Sequence, residues 1–230
     1  MAASGITIFH KCKLTPITLD ELMEYSYYAL YNLSYLAESA TSGRSPDMYS
    51  DWDGSEEQKA FVLNSHLWER VNYIWEYAEK GMHIEELYDG AVNDLLVDLY
   101  MWGAACDAIL LHDGSFSHET IEVREAACKL AYKFIARIKL DLEWDMDDLI
   151  PVVGLFPMTH ETKLTTVEYA LLAGLSHIGA VRNEASNKND PLITEKEGNN
   201  ILIPIEVARI RLQKKRKFVP TQGVNYGSSN

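Results

Sequence analysis

The residues best able to move a proton or hold a metal ion are seven histidines: His10, His66, His83, His112, His118, His160 and His177. None stands three residues after a glutamate, the spacing by which a di-iron helical bundle turns both ligands inward. The HExxH signature of zinc peptidases does not occur either. His66 and Glu69 share a helical face, as do His118 and Glu122, but single pairs at these spacings are common by chance. His112-Asp113-Gly114 reads as a helix stop. The sequence has no glycine loop that would cradle a phosphate and no elbow that would present a nucleophilic serine. Cys12, Cys106 and Cys128 are odd in number and far apart, with no CxxC pair, which excludes a zinc ribbon or a disulfide framework. Cys106 and Cys128 fit small, reduced core residues. No catalytic residue, metal site or cofactor is expected, and the protein does not read as an enzyme.

The charged residues are more informative. A net charge of −13 by itself opposes binding to nucleic acid, but the charge is unevenly spread. From Glu161 onward, ten lysines and arginines stand against seven acids, a balance of +3. The preceding 160 residues hold eleven bases and twenty-seven acids, a balance of −16. Such asymmetry marks two modules with different partners.

The positive stretch carries an ordered set of motifs. Thr165–Ala173 reads as a short helix, and a second begins at about His177. Between them, Ala170 is small enough for close helix approach, and Gly174 supplies the positive φ of a tight corner. Leu175 can plug that corner and Ser176 can cap the next helix. Two apolar runs flank Gly198-Asn199-Asn200, a hairpin signature spanning Ile193–Ile203. Pro204 then leads into a third helix, Ile205–Lys217, ending in a Lys-Lys-Arg-Lys run.

This order of features resembles the winged helix-turn-helix of the excisionase and mercury-resistance-regulator superfamily, over about 55 of the 230 residues. One residue more separates Gly174 from the second helix than in the common pattern. The resemblance implies a recognition helix in the major groove, with the hairpin wing against an adjacent minor groove or backbone. Placing Ile178, Val181 and Ala185 inward leaves Gly179, Asn183 and Asn187 outward, with Ser176, His177, Arg182 and Ser186 beside them. Arg182 suits a guanine edge and Asn183 an adenine edge. Lys188, Lys196, Asn199 and the basic run from Arg209 through Lys214 and Lys215 would contact the wing-side groove and phosphates. Arg182-Asn183 also resembles an Arg-Asn element of RNA-cleaving helical nucleases, but the downstream histidine that chemistry requires is missing.

The elements that must position these residues are mostly helical. Thr18 with Glu21, and Ser55 with Gln58, are capping boxes that open helices running to about Ala40 and Glu79. In the first, Leu19, Leu22, Met23, Leu30, Leu33 and Ala37 form the apolar stripe. Further helices are expected over about Ile84–Leu111 and Ser117–Trp144. The apolar run Ala91–Leu111 contains Asn93, Asp94, Asp98 and Asp107, which a bilayer would penalise, so a soluble, cytoplasmic protein is expected. The fold class is mainly α: an acidic antiparallel helical bundle over residues 1–157, a winged helix-turn-helix with a small β-hairpin over 158–222, and a loose tail over 223–230. The expected function is sequence-specific binding of double-stranded DNA, in transcription regulation, as a homodimer. The competing expectation is a non-catalytic adaptor or inhibitor acting through the acidic bundle, by partner binding or by mimicry of nucleic-acid charge.

Overall fold

The computed structural model describes residues 14–42, 52–85, 92–113, 118–142, 159–160 and 162–226. Among them the chain is mainly helical, with eight helices and one antiparallel sheet of three strands. These residues group into two compact units. One holds the described residues of Ile17–Ile74 and Asp94–Cys128; the other holds those of Met1–Pro16, Trp75–Asn93 and Lys129–Asn230. The boundary expected at residue 157 falls within 143–158, outside the described residues. No described helix is long and apolar enough to cross a membrane.

In the first unit, α1 (Leu19–Ser42) opens with the expected reciprocal cap. Glu21 N–H donates to Thr18 Oγ1 at 3.2 Å, and Thr18 N–H donates to the Glu21 carboxylate at 2.8 Å. Its buried face differs from the predicted stripe. Leu22, Ser26, Ala29 and Asn32 are buried, whereas Leu19 and Ala37 are exposed. The tyrosines, not the leucines, fill the gap: Tyr27 packs on Tyr28, Tyr31, Trp52 and Phe61 with ring centroids 5.4–6.4 Å apart.

The helix predicted from Ser55 to Glu79 is two helices, α2 (Glu56–Leu63) and α3 (His66–Lys80). Asn64-Ser65 interrupts them because Ser65 starts a new cap: its hydroxyl accepts from Trp68 N–H at 3.0 Å. Next come α4 (Val92–Asp113) and α5 (His118–Leu142). Both α3 and α5 continue from the first unit into the second.

The second unit is organised around the last three turns of α5, where every residue from Leu130 to Leu140 is buried. Three of these are cations, Lys133, Arg137 and Lys139, and a buried cation must be paired or hydrogen-bonded. Lys133 pairs with Glu79 of α3. The Arg137 guanidinium donates to the carbonyls of Ala78 and Val219 and to the Thr221 hydroxyl. Lys139 Nζ donates to Glu168 Oε1 at 2.7 Å, Thr159 Oγ1 at 2.6 Å and the Lys163 carbonyl at 3.2 Å, using all three of its hydrogens. Burial pulls the Lys139 ammonium below its usual pKa, while the Glu168 carboxylate opposes that shift.

The C-terminal stretch, expected to be a loose tail from Gly223, is anchored through Tyr226. Its hydroxyl donates to Asp141 Oδ1 at 2.6 Å, and Tyr77 and Thr221 donate to Oδ2 of the same carboxylate. Gly227–Asn230 lie outside the described residues.

Replacing Glu168 with Gln leaves Lys139 buried without a counter-charge and is expected to cost about 3–5 kcal/mol in urea unfolding. Adding Lys139→Met to that variant should restore more than half of the loss. A second expectation concerns pH. Burial, then the Asp141 carboxylate, pushes the Tyr226 phenol up to about 12. A raised folded-state pKa contributes stability that is intact below the ordinary value near 10 and fades as pH rises to about 12. The stability gap between wild type and Tyr226→Phe should therefore narrow across that window, as read from thermal midpoints.

Candidate nucleic-acid interface

The site is built outward from Glu168. After β1 (Lys163–Thr165), the helix α6 (Thr166–Leu172) is opened by a capping box. Thr165 N–H donates to Glu168 Oε2 at 2.7 Å, and Glu168 N–H donates to Thr165 Oγ1 at 3.3 Å. The other carboxylate oxygen is the one that receives Lys139, so one side chain both caps α6 and fixes it to α5. Residues Val167–Leu172 are then buried in succession.

The corner after α6 follows the sequence expectation. Leu175 N–H donates to the Ala170 carbonyl at 2.9 Å and Gly174 N–H to the Leu171 carbonyl at 3.3 Å, the paired bonds of a Schellman stop. Gly174 has φ +63°, and a Cβ there would lie 2.7 Å from the Lys217 Cβ. Glycine is thus required twice, by backbone conformation and by the side chain that crosses it.

The next helix, α7 (Gly179–Ala185), starts later than His177. Ser176 does not cap it: the cap position is Ile178, without a side-chain bond, and Ser176 Oγ lies 3.0 Å from His177 Nδ1. Val181 is its buried residue; Ile178 and Ala185 are half-buried. Glu184, on the inner flank, accepts from the Tyr169 hydroxyl at 3.2 Å and from Lys215. These bonds hold the helix. They leave Arg182 and Asn183 exposed, with no ion-pair or side-chain hydrogen-bond partner among the described residues.

The hairpin consists of β2 (Glu195–Glu197) and β3 (Asn200–Pro204), turned at Gly198 with φ +60°. The sequence reading missed its third strand. β1 pairs with the other side of β3, Leu164 opposite Ile203, giving the order β1-β3-β2. Lys163 of β1 pairs with both Glu195 and Glu197. His160 Nδ1 accepts from the backbone N–H of Thr162 and Lys163, which leaves Nε2 as the donor to Glu197 at 3.1 Å. Those contacts, Lys163 foremost, hold the Glu197 carboxyl below its usual range. Lys196 and Asn199 remain exposed on the hairpin.

Pro204 leads into α8 (Ile205–Gln213), shorter than expected. Arg209, read as a phosphate contact, instead points at α5: its Nε and Nη2 donate to the Leu140 carbonyl at 2.8 and 2.6 Å, satisfying a carbonyl of the last helical turn. Lys215 is likewise engaged, by Glu184. Arg211 pairs with Asp190 and donates to the Asp190 and Pro191 carbonyls, strapping the connection between α7 and β2. In that connection Asn187 Oδ1 accepts from Asn189 N–H at 3.0 Å, so part of its side chain serves a local turn.

Of the residues singled out in the sequence, then, Gly179, Arg182, Asn183, Lys188, Lys196, Asn199 and Lys214 are exposed. Arg216 and Lys217 are exposed as well. Among the described residues no cluster of His, Cys, Asp or Glu has the arrangement of a metal site. No protein-family model, curated protein or solved structure matches the chain.

Gly174→Ala should cost about 1–2 kcal/mol for the left-handed backbone alone, plus the contact with Lys217. In thermal unfolding, Lys217→Gly added to that variant should recover the steric part and leave the backbone part.

Proposed function

We propose that the stretch from β1 to α8 is a winged helix-turn-helix that binds double-stranded DNA sequence-specifically, and that the protein is a non-enzymatic transcriptional regulator acting as a homodimer. The observation that carries this reading is the exposed Arg182–Asn183 pair on a helix whose inner flank is fixed by Val181 and Glu184. Guanidinium and carboxamide are the two groups that read base edges bidentately, Arg at guanine and Asn at adenine. The helix enters the major groove, and the hairpin brings Lys196 and Asn199 to the adjacent minor groove or backbone. Lys188, Lys214, Arg216 and Lys217 contribute phosphate contacts, which add salt-dependent affinity without sequence information. Arg209 and Lys215 have no part in binding, because both are held within the fold. A single module this small reads few base pairs, so a two-fold pair of half-sites is the expected target.

Selection from random duplexes should enrich a palindromic or directly repeated site. No duplex binding even at low salt would overturn the reading. Against a selected site, Arg182→Ala should lose about 1–3 kcal/mol of discrimination at one base-pair position. A loss equal across all sequences would make Arg182 a phosphate contact.

A further inference from the structure

Ser176 lies just before the candidate recognition helix, and its carbonyl accepts a backbone hydrogen bond from Leu14 at 3.1 Å. The Leu14 side chain is 1% exposed, so this is a docked residue and not a grazing contact. The chain that precedes Leu14 is therefore tethered beside His177, at the end of α7 that points toward the groove in a helix-turn-helix complex. Consecutive Cα atoms are 3.8 Å apart, so Lys13 is covalently bound to that neighbourhood. The thirteen residues before Leu14 include Lys11 and Lys13 and no acid. In a chain whose first 160 residues carry a balance of −16, an acid-free segment with two lysines at this point is out of keeping with its surroundings.

We infer that residues 1–13 form a basic arm that contacts duplex phosphates next to the recognition helix, with Leu14 as its anchor and Lys11 and Lys13 as its contacts. The inference rests on the DNA-binding reading above and adds a second element to the same interface. Leu14 fixes where the arm leaves the fold, and the two ammonium groups displace counterions from the phosphate backbone. Because phosphates carry no sequence information, the arm raises affinity on every duplex alike.

The test uses the full chain and a mixed-sequence duplex of about 30 base pairs, titrated over a series of KCl concentrations. Each phosphate contact contributes about 0.9 to the slope of log affinity against log salt on B-form DNA. The variant Lys11→Gln/Lys13→Gln should bind several-fold more weakly at low salt, with a slope shallower by about 1.8. Lys59→Gln/Lys129→Gln, which changes net charge by the same amount, should retain the wild-type slope. Wild-type duplex binding with an unchanged slope in the Lys11/Lys13 variant overturns the arm and leaves the DNA-binding reading standing. Equal slope losses in both double variants also overturn it, by assigning the effect to net charge. If the wild-type protein binds no duplex, the arm and the underlying reading fall together.

Discussion

Three cations inside one helix constrain the second unit more than any apolar contact. Desolvating an ammonium or guanidinium costs several kcal/mol even after relaxation, so each must find its partner or the helix cannot be buried there. Lys133, Arg137 and Lys139 solve this with three different segments: Glu79 on α3, the 219–221 stretch with Ala78, and Glu168 on α6. An apolar helix can slide or rotate against its neighbours at modest cost. A helix with three buried cations has one register, because any other leaves a charge without a partner.

The same constraint reaches the exposed surface through a short chain of bonds. Lys139 fixes Glu168, and Glu168 fixes the first turn of α6. The Schellman corner at Gly174 then sets where the chain leaves α6. The seven residues of α7 are too few for a stable helix alone. Tyr169 on α6 and Lys215 after α8 supply the missing support through Glu184. Arg182 and Asn183 thus ride on an element whose position is determined elsewhere, the preorganisation that selective recognition requires.

What the sequence revealed and what it hid divide along the range of the interactions. The capping box at Thr18, the positive φ of Gly174, the turn at Gly198 and the helix start after Pro204 depend on residues within four positions, and all were legible. The strand Lys163–Thr165 was not, because three residues have no periodicity and become a strand only through Ile203 and its neighbours. Tyr226 lies in a Gly/Ser/Asn-rich stretch and is anchored by a carboxylate 85 positions earlier. Arg209 belongs to a basic run, and nothing local distinguishes it from its exposed neighbours; the carbonyl of Leu140 does. On α1, apolar type alone picked leucines, while the wide faces of Tyr27 and Tyr28 filled the core.

Net charge is a poor guide to what this surface attracts, because pairing decides which charges act outward. Between residues 162 and 226 the acids Glu168, Glu184, Asp190, Glu195 and Glu197 each hold a cation. Among the described residues of that stretch, Glu206 has no ion pair, against Arg182, Lys188, Lys196, Lys214, Arg216 and Lys217. A close pair presents a dipole whose field falls quickly, whereas six unpaired cations add their fields. At physiological ionic strength, charges separated by more than about 8 Å through water are largely screened from one another. A phosphate approaching Arg182 therefore responds to the cations around it, not to the total of −13. The acids that dominate the composition can coexist with an anion-binding face so long as the nearby ones are already engaged, as Glu184 and Asp190 are.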